Sequence, residues 1–562
     1  MSAPKPWTCT GKDKNGNPAA SGEHPPHTNY GPFCTYGSCT LSREDVVSDK
    51  QTGPGGKKLL IPGAIAVGVL ALVGGGMALL SPGGDVVARR GGSEMTPAGG
   101  NCLAGEFEGF ISEQASQGRF ISQGEQVLLT GTQPQNISQK RDAAQSFQNG
   151  DWQRALEQYQ FASSSDPNDP EAKIYLNNAR ARLRSDALPR TIAVAIPISS
   201  NPDEAREILR GVALSQNQFN NSSPTPDCLM EVALVDVDRS EESIQIAEDL
   251  IASPQVLGLI GHGSDEYAQE AVRMYQDNGL TVVSPLTMSV SMSPTGASVL
   301  RVLSYQEGSG QMLDGYLKRS SETLIDYASR ELSSPPVVSV FFNSDIDYSR
   351  RMKDTFISTL QEKGVSVTPL DILSDISVSS GGDASNMITR ATRAGANTAY
   401  LALTRDRINA ALAIARANAA QNNALLLLGA DELFSPSLLI EGGSAIEGMV
   451  LAIPWSWSAD DPFAQQSAAM WQGRVSWRTA TAFDATEALA GALKRQNDNE
   501  DGGLNRAEVV NRLRQGQPIS GVAADFNVFA QGIPLVEAVR GDGGPSGSDY
   551  RFDPIDNRET DE

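Results

Sequence analysis

Residues Val256–Tyr267 read VLGLIGHGSDEY: an apolar run, a Gly-His-Gly turn, then polar residues that can open a helix. A short, continuously apolar run bounded by turn residues is the pattern of a strand buried on both faces. Open parallel sheets bind ligands at the carboxyl ends of their strands, so the turn decides what the surrounding domain can do. A phosphate cradle needs Gly-x-Gly-x-x-Gly or a Gly-Lys-Ser/Thr ending. GHGSDEY has neither, and it sets Asp265 and Glu266 where a phosphate would sit. Acyl transfer from such a turn would use a Gly-x-Ser-x-Gly elbow, which is also missing. His262 reads more simply as a turn histidine with a structural hydrogen bond.

Outward from the turn, strands and helices alternate. TIAVAIP (Thr191–Pro197) and VALVDV (Val232–Val237) read as strands before it. DEAREILRGVALSQNQF and SEESIQIAEDLIAS read as the helices between them, and YAQEAVRMYQDN and TVVSP follow. The pattern restarts at PVVSVFF (Pro336–Phe342), with a helix from Tyr348, then TAYLAL, ALLLLGA and GMVLAIP. Short apolar strands alternating with amphipathic helices predict parallel sheets covered on both faces. Two such units in succession predict an α/β fold of two lobes over residues 190–540, with a cleft between the carboxyl ends of their strands.

The remaining sequence divides by composition. The net charge of -22 over 562 residues argues against nucleic acid, which calls for a concentrated Lys/Arg surface. Residues 1–58 form a polar tail, and Leu59–Gly84 contain no charged residue. About 20 such residues suffice to cross a bilayer as a helix. A cleaved signal would lie at the extreme N-terminus, so 59–84 is read as a retained transmembrane anchor. Lys57 and Lys58 favour a cytoplasmic tail, with Arg89 and Arg90 voting the other way. Residues 85–104 read as a linker, and 541–562 as an acidic disordered tail. Residues 105–187 read as helical. Within them, Ala155, Tyr159, Ala162 and Pro167 have the spacing of a tetratricopeptide repeat's second helix, after the turn Gly150-Asp151-Trp152. A lone repeat cannot bury its own face, so it is expected to pack on a neighbour.

GLIGHGSDEYAQEAVRMYQDNGLTVVSP resembles the signature of type I periplasmic solute-binding proteins, the leucine/isoleucine/valine-binding class of ABC transporters. REILRGVALSQNQFN, FFNSDIDYSRRMKDTF, LGADELFSPSLL, EGMVLAIPW and SWRTATAFDATEALAGAL follow in that family's order. The helical segment and anchor resemble the membrane-anchored form found in cyanobacteria. The resemblance makes the opening turn the rim of an amino-acid-type cleft. It implies that the first lobe clamps an α-carboxylate and α-amine with a Ser and a Thr. The Ser position falls on Asp265, after Ser264, and the Thr position on Met288, after Thr287. Tyr348 matches a tyrosine of the second lobe, and Asp431 a carboxylate that meets the ligand amine.

The departures alter the expected ligand. Two like charges about 4 Å apart at an effective dielectric of 20 repel by roughly 4 kcal/mol, more than the about 0.3–2 kcal/mol a helix N-terminus supplies to a carboxylate. Weak or no binding of leucine, isoleucine or valine is therefore expected, with a cationic or neutral polar solute preferred. The implied function is solute capture for an ABC permease, or ligand sensing with a signalling partner. No nucleophile–base pair or metal-hydrolase motif points to an enzyme.

Two further constellations concern metals. Cys9, His24, His27, Cys34 and Cys39 supply thiolate and imidazole groups suited to zinc. The tail is read either as a zinc site built from Cys9, Cys34, Cys39 and one histidine, or as an unstructured segment. NDNEDGGLNRAE places Asn497, Asn499, Asp501 and Glu508 at positions one, three, five and twelve of a calcium-loop pattern, the alternative being a solvated turn. Cys102 and Cys228 would face an oxidising compartment and could pair.

Overall fold

The computed structural model describes residues 7–10, 12 and 27–29 of a first unit, Met1–Glu94, and much of a second, Met95–Glu562. In the second unit it describes 109–555 except 116–119, 130–133, 185–187, 223–227, 238–241, 262–265, 286–298, 302–304, 307–311, 314, 366, 372–380, 495–503, 516–520, 524–532, 543 and 546. In the first unit Trp7–Cys9 pairs antiparallel with His27–Asn29. The span 59–84 lies outside the described residues, among which no helix is long and apolar enough to cross a membrane.

The first lobe is built on a six-stranded sheet. Its strands are β1 (Ile121–Ser122), β2 (Arg190–Ile196), β3 (Met230–Asp236), β4 (Val256–Gly261), β5 (Val282–Ser284) and β6 (Val299–Arg301). Their order is β1-β3-β2-β4-β5-β6, parallel except for β1. Every residue of β3 and β4 is buried, as continuous apolar runs require when helices cover both faces. Those helices are α4 (Pro202–Asn220), α5 (Glu242–Ala252) and α6 (Glu266–Asp277). They are joined by α13 (Trp477–Leu493) and α14 (Arg506–Gln515), which return from the far end of the sequence.

Helix α4 starts as its sequence dictates, with Pro202 at the first position and Asp203 and Glu204 in the first turn. It packs along α13 at Gly211, where a Cβ would lie 2.3 Å from the Thr479 carbonyl and 2.6 Å from the Phe483 nitrogen. Only a hydrogen side chain permits this approach. Arg506 ties α14 to the same lobe. Its guanidinium donates to the carbonyls of Leu250, Ile251, Ser253 and Val256, capping the negative end of α5.

The second lobe holds β7 (Val338–Phe342), β8 (Val367–Asp371), β9 (Thr398–Ala402), β10 (Leu426–Gly429), β11 (Val450–Ala452), β12 (Leu535–Arg540) and β13 (Tyr550–Pro554). Their order is β8-β7-β9-β10-β11-β12-β13. Around them run α7 (Gly315–Glu331), α8 (Asp347–Glu362), α9 (Gly381–Arg393), α10 (Ile408–Ala420), α11 (Pro436–Gly442) and α12 (Pro462–Trp471). The last two strands are antiparallel, so the sheet is mixed where a parallel one was expected. Strand β13 lies within the segment 541–562 and is ordered over Tyr550–Pro554, where the sequence reads as a disordered tail. Phe552 stacks on Phe434 at 4.8 Å, while Arg551 and Asp553 pair with each other at 2.7 Å. The apolar alternation is two residues deep, too short to register against an acidic background.

Helices α1 (Pro134–Gln148), α2 (Trp152–Ser165) and α3 (Pro170–Arg182) stack in sequence, and α3 packs on α4 and β3. Ala155, Tyr159 and Ala162 are buried, and Asp151 caps α2 through the Arg154 amide. The segment 105–187 is not wholly helical, because β1 within it pairs with β3. Beyond β1 the same edge is closed by Asn178, whose side-chain amide donates to the Val232 carbonyl at 2.8 Å and accepts from the Val232 amide at 3.0 Å. A side chain thus satisfies strand groups that would otherwise be an open edge. Cys228, just before β3, is disulfide-bonded; Cys102 lies outside the described residues.

Candidate functional site

The carboxyl ends of β7, β9, β10 and β11 form one wall. Past β7 the chain turns at Asn343, which is tied to α8: Asn343 N–H donates to Ser349 Oγ at 2.8 Å, and Ser349 Oγ donates to the Ala402 carbonyl at the end of β9. The Asp345 amide donates back to Asn343 Oδ1 at 2.9 Å. These bonds fix the first turn of α8, and with it Tyr348, which is 1% exposed.

Asp431 stands two residues beyond β10 and is completely buried. Tyr316, in the first turn of α7, donates to the Ala452 carbonyl at 3.0 Å and lies close enough to Asp431 to feel its charge. Burial, then the charge of Asp431, pushes the Tyr316 hydroxyl far above its ordinary range, with Tyr348 and Tyr400 adding to the shift. Tyr400 is stacked on Phe356 at 3.8 Å. Two residues expected from the sequence, Tyr348 and Asp431, thus meet in one buried cluster around Tyr316. Chemically this is a carboxylate ringed by phenols, which favours a cationic or donor group over an anion.

The facing wall belongs to the first lobe. Strand β4 ends at Gly261 with φ +143°, where a Cβ would lie 2.2 Å from the Ala195 carbonyl. This strained crossing starts the Gly-His-Gly turn and only glycine meets it without cost. Ser264, Asp265, Thr287 and Met288 lie outside the described residues. After β2, the Ser199 amide donates to Asp236 Oδ1 at 3.0 Å, which fixes the approach to α4.

Sequence reasoning missed the charged groups between the walls: Glu204, Glu207, Arg405, Glu432 and Arg478. Glu204 Oε2 accepts from Arg405 Nη1 at 2.9 Å, a contact between residues 201 apart in the chain. Glu207 serves the start of α13, accepting from the Ser476 amide and Thr479 Oγ1, each at 2.9 Å. Burial alone would raise its carboxyl. Arg210 and the Ser476 and Thr479 donors outweigh burial and hold it below the usual range. Burial raises Glu432 although Arg478 and Arg405 pull it down. One local signal was available: Arg478 is the sole cation in SWRTATAFDATEALAGAL and is 2% exposed. A buried arginine in an apolar helix implies a distant acid.

Of the predicted metal ligands, Cys9 and His27 stand directly opposite in the antiparallel pair. His24, Cys34 and Cys39 lie outside the described residues, as do Asn497, Asn499 and Asp501. Glu508 is paired with Arg512 at 2.6 Å, and the Asn505 side chain accepts from the Glu508 amide at 3.1 Å. Asn505 thus caps α14, and Glu508 forms an i,i+4 ion pair within it. Among the described residues no three or more His, Cys, Asp or Glu are grouped to hold a metal.

Solved structures share this architecture. An ABC transporter substrate-binding protein from Sphaerobacter thermophilus superposes with a TM-score of 0.51 at 17% identity, over 66% of this chain and 97% of that one. One from Desulfitobacterium hafniense, in complex with Leu, gives 0.50 at 16% identity over 65% and 99%. The branched-chain amino acid transporter substrate binding protein from Streptococcus pneumoniae, in complex with isoleucine, gives 0.50 at 13% over 65% and 100%. No curated protein matches the chain. The sequence profile described as "Periplasmic binding protein" matches residues 234–540, more than half of the chain, and ends with β12 of the second lobe. The chain therefore belongs to the periplasmic binding protein family, a non-enzymatic family of solute-binding proteins.

Proposed function

We propose that the chain is a membrane-anchored, extracytoplasmic solute-binding protein of the branched-chain amino acid ABC transporter type, taking a small polar solute between its lobes. The observation that carries this reading is the Asp431–Tyr316–Tyr348 cluster at the strand ends of the second lobe. Its charge, with Asp265 and Met288 in place of the family's Ser and Thr, supports a cationic or neutral polar solute over leucine or isoleucine. The family implies an extracytoplasmic location, the Cys228 disulfide is in keeping with an oxidising compartment, and we assign Cys102 as its partner. Residues 59–84 are proposed as the anchor.

Thermal melting of the full chain against a panel of amino acids tests the ligand class. A solute at 100 times its Kd stabilises by about 2.7 kcal/mol, so lysine, arginine or glutamine should raise Tm and leucine should not. Asp265→Ser should move the response toward leucine. A shift with leucine alone in the unmodified chain would refute the specificity.

A second reading, a ligand-sensing receptor, is favoured by the packing of α3 on α4 and β3, which couples the helical segment to the first lobe. Co-purification of a permease and its ATPase supports transport; a signalling partner in their place supports sensing.

A further inference from the structure

Glu204 opens α4 of the first lobe, and Arg405 follows β9 of the second. Both stand at carboxyl ends of strands, where the two sheets face the cleft. Arg405 Nη1 meets Glu204 Oε2 at 2.9 Å, and Arg478 Nε approaches the same oxygen at 3.4 Å. Arg478 belongs to α13 of the first lobe, yet its Nη1 donates to the Phe434 carbonyl of the second at 3.0 Å. The Arg405 amide donates to Glu432 Oε2 at 3.3 Å, and Asn201 Nδ2 donates to Glu204 Oε2 at 3.2 Å. The side chains of Arg405, Glu204 and Arg478 are 18%, 11% and 3% exposed. Partial burial screens these charges less than water would, and each lobe supplies both an acid–base contact and its support.

We propose that Glu204, Arg405 and Arg478 form a clasp that joins the two lobes across the cleft through the protein's own side chains. Closure of the domain then draws on an ion-pair cluster as well as on solute. The clasp rests on the reading of the space between the lobes as the binding cleft, but its test needs no solute, so it fails or holds separately from the ligand assignment. Two-lobed binding proteins close by hinge motion; an interlobe ion pair biases that motion toward the closed form in proportion to its strength.

The test is hydrogen exchange of the full chain, without added solute, followed at peptides spanning 198–206 and 403–409. Glu204→Gln and Arg405→Gln are near in size to the native residues. Each should accelerate exchange several-fold in the partner lobe's peptide as well as in its own. The double variant should match Glu204→Gln, which already breaks the contact that Arg405→Gln removes. Raising salt should accelerate the wild type and leave the double variant unchanged. Protection in β7 and β9 controls for global unfolding. Acceleration confined to the mutated lobe, or effects that add fully in the double variant, would overturn the clasp.

Discussion

Glu207 shows how one side chain joins distant parts of the chain, and it carries a pH signature. Its carboxyl is held below its ordinary value of 4.5 by Arg210 and by donors at the start of α13, against the opposing effect of burial. A depressed carboxylate contributes stability above its unfolded pKa and loses it as pH falls through the folded value. Glu207→Gln should therefore lower stability by about 1.5–3 kcal/mol at pH 7, the worth of charge-assisted hydrogen bonds. The difference from wild type should close as pH falls below 4.5. A difference independent of pH between 7 and 3 would show that packing, not charge, is at work. In the first unit, Cys9 stands opposite His27 in the strand register, and we propose His27 over His24 as the tail's ligand. If the tail holds zinc, His27→Ala should release it and His24→Ala should not, as read by metal analysis of the purified full chain. About half of the candidate site was legible residue by residue. Tyr348 and Asp431 sit inside quotable motifs, FFNSDIDYSRR and LGADELF. Tyr316, Glu204 and Arg405 act through contacts that only the folded chain brings together, and local sequence carries no trace of such distances.

At the scale of elements, the helical segment is part of the first lobe's support. Lys140 is fully buried and pairs with Asp169 at 2.8 Å and Glu171 at 2.7 Å, while Glu171 accepts from the amides of Leu128 and Leu129. Burial depresses the Lys140 ammonium, but the two carboxylates reverse this and leave it raised. Removing one partner of a buried ion cluster costs about 3–5 kcal/mol, so Lys140→Met should lower Tm by several degrees in a melt of the full chain. An unchanged Tm would mean that the cluster is dispensable. Asn178→Ala should reopen the edge of β3, detected as faster exchange at the Val232 amide. The central strands of both lobes and the helices beside them were legible because buried runs and 3.6-residue periodicity are strong local signals. β1 and β13 were not, since two and five residues in polar surroundings fall below that signal and gain their order from the sheet they join.

At the scale of the molecule, the chain passes from one lobe to the other after β6, before α13 and after α14. This makes α13 and α14 late in sequence but early in space, packed on α4, β4 and β5. The alternation of elements predicted two lobes; which lobe the late helices join is set by contacts such as Gly211 against Thr479. The anchor reading belongs to this scale as well. Protease added to cells stripped of their outer layers should digest the large domain and spare residues 1–58. Protection of the large domain would reverse the proposed topology. The central claim is that the cleft takes a small polar solute against Asp431, and calorimetric titration of the full chain with lysine, glutamine and leucine tests it most directly. The account predicts saturable binding of lysine or glutamine that Asp431→Asn weakens at least tenfold, and no heat from leucine. Micromolar binding of leucine, unaffected by Asp431→Asn, would contradict it.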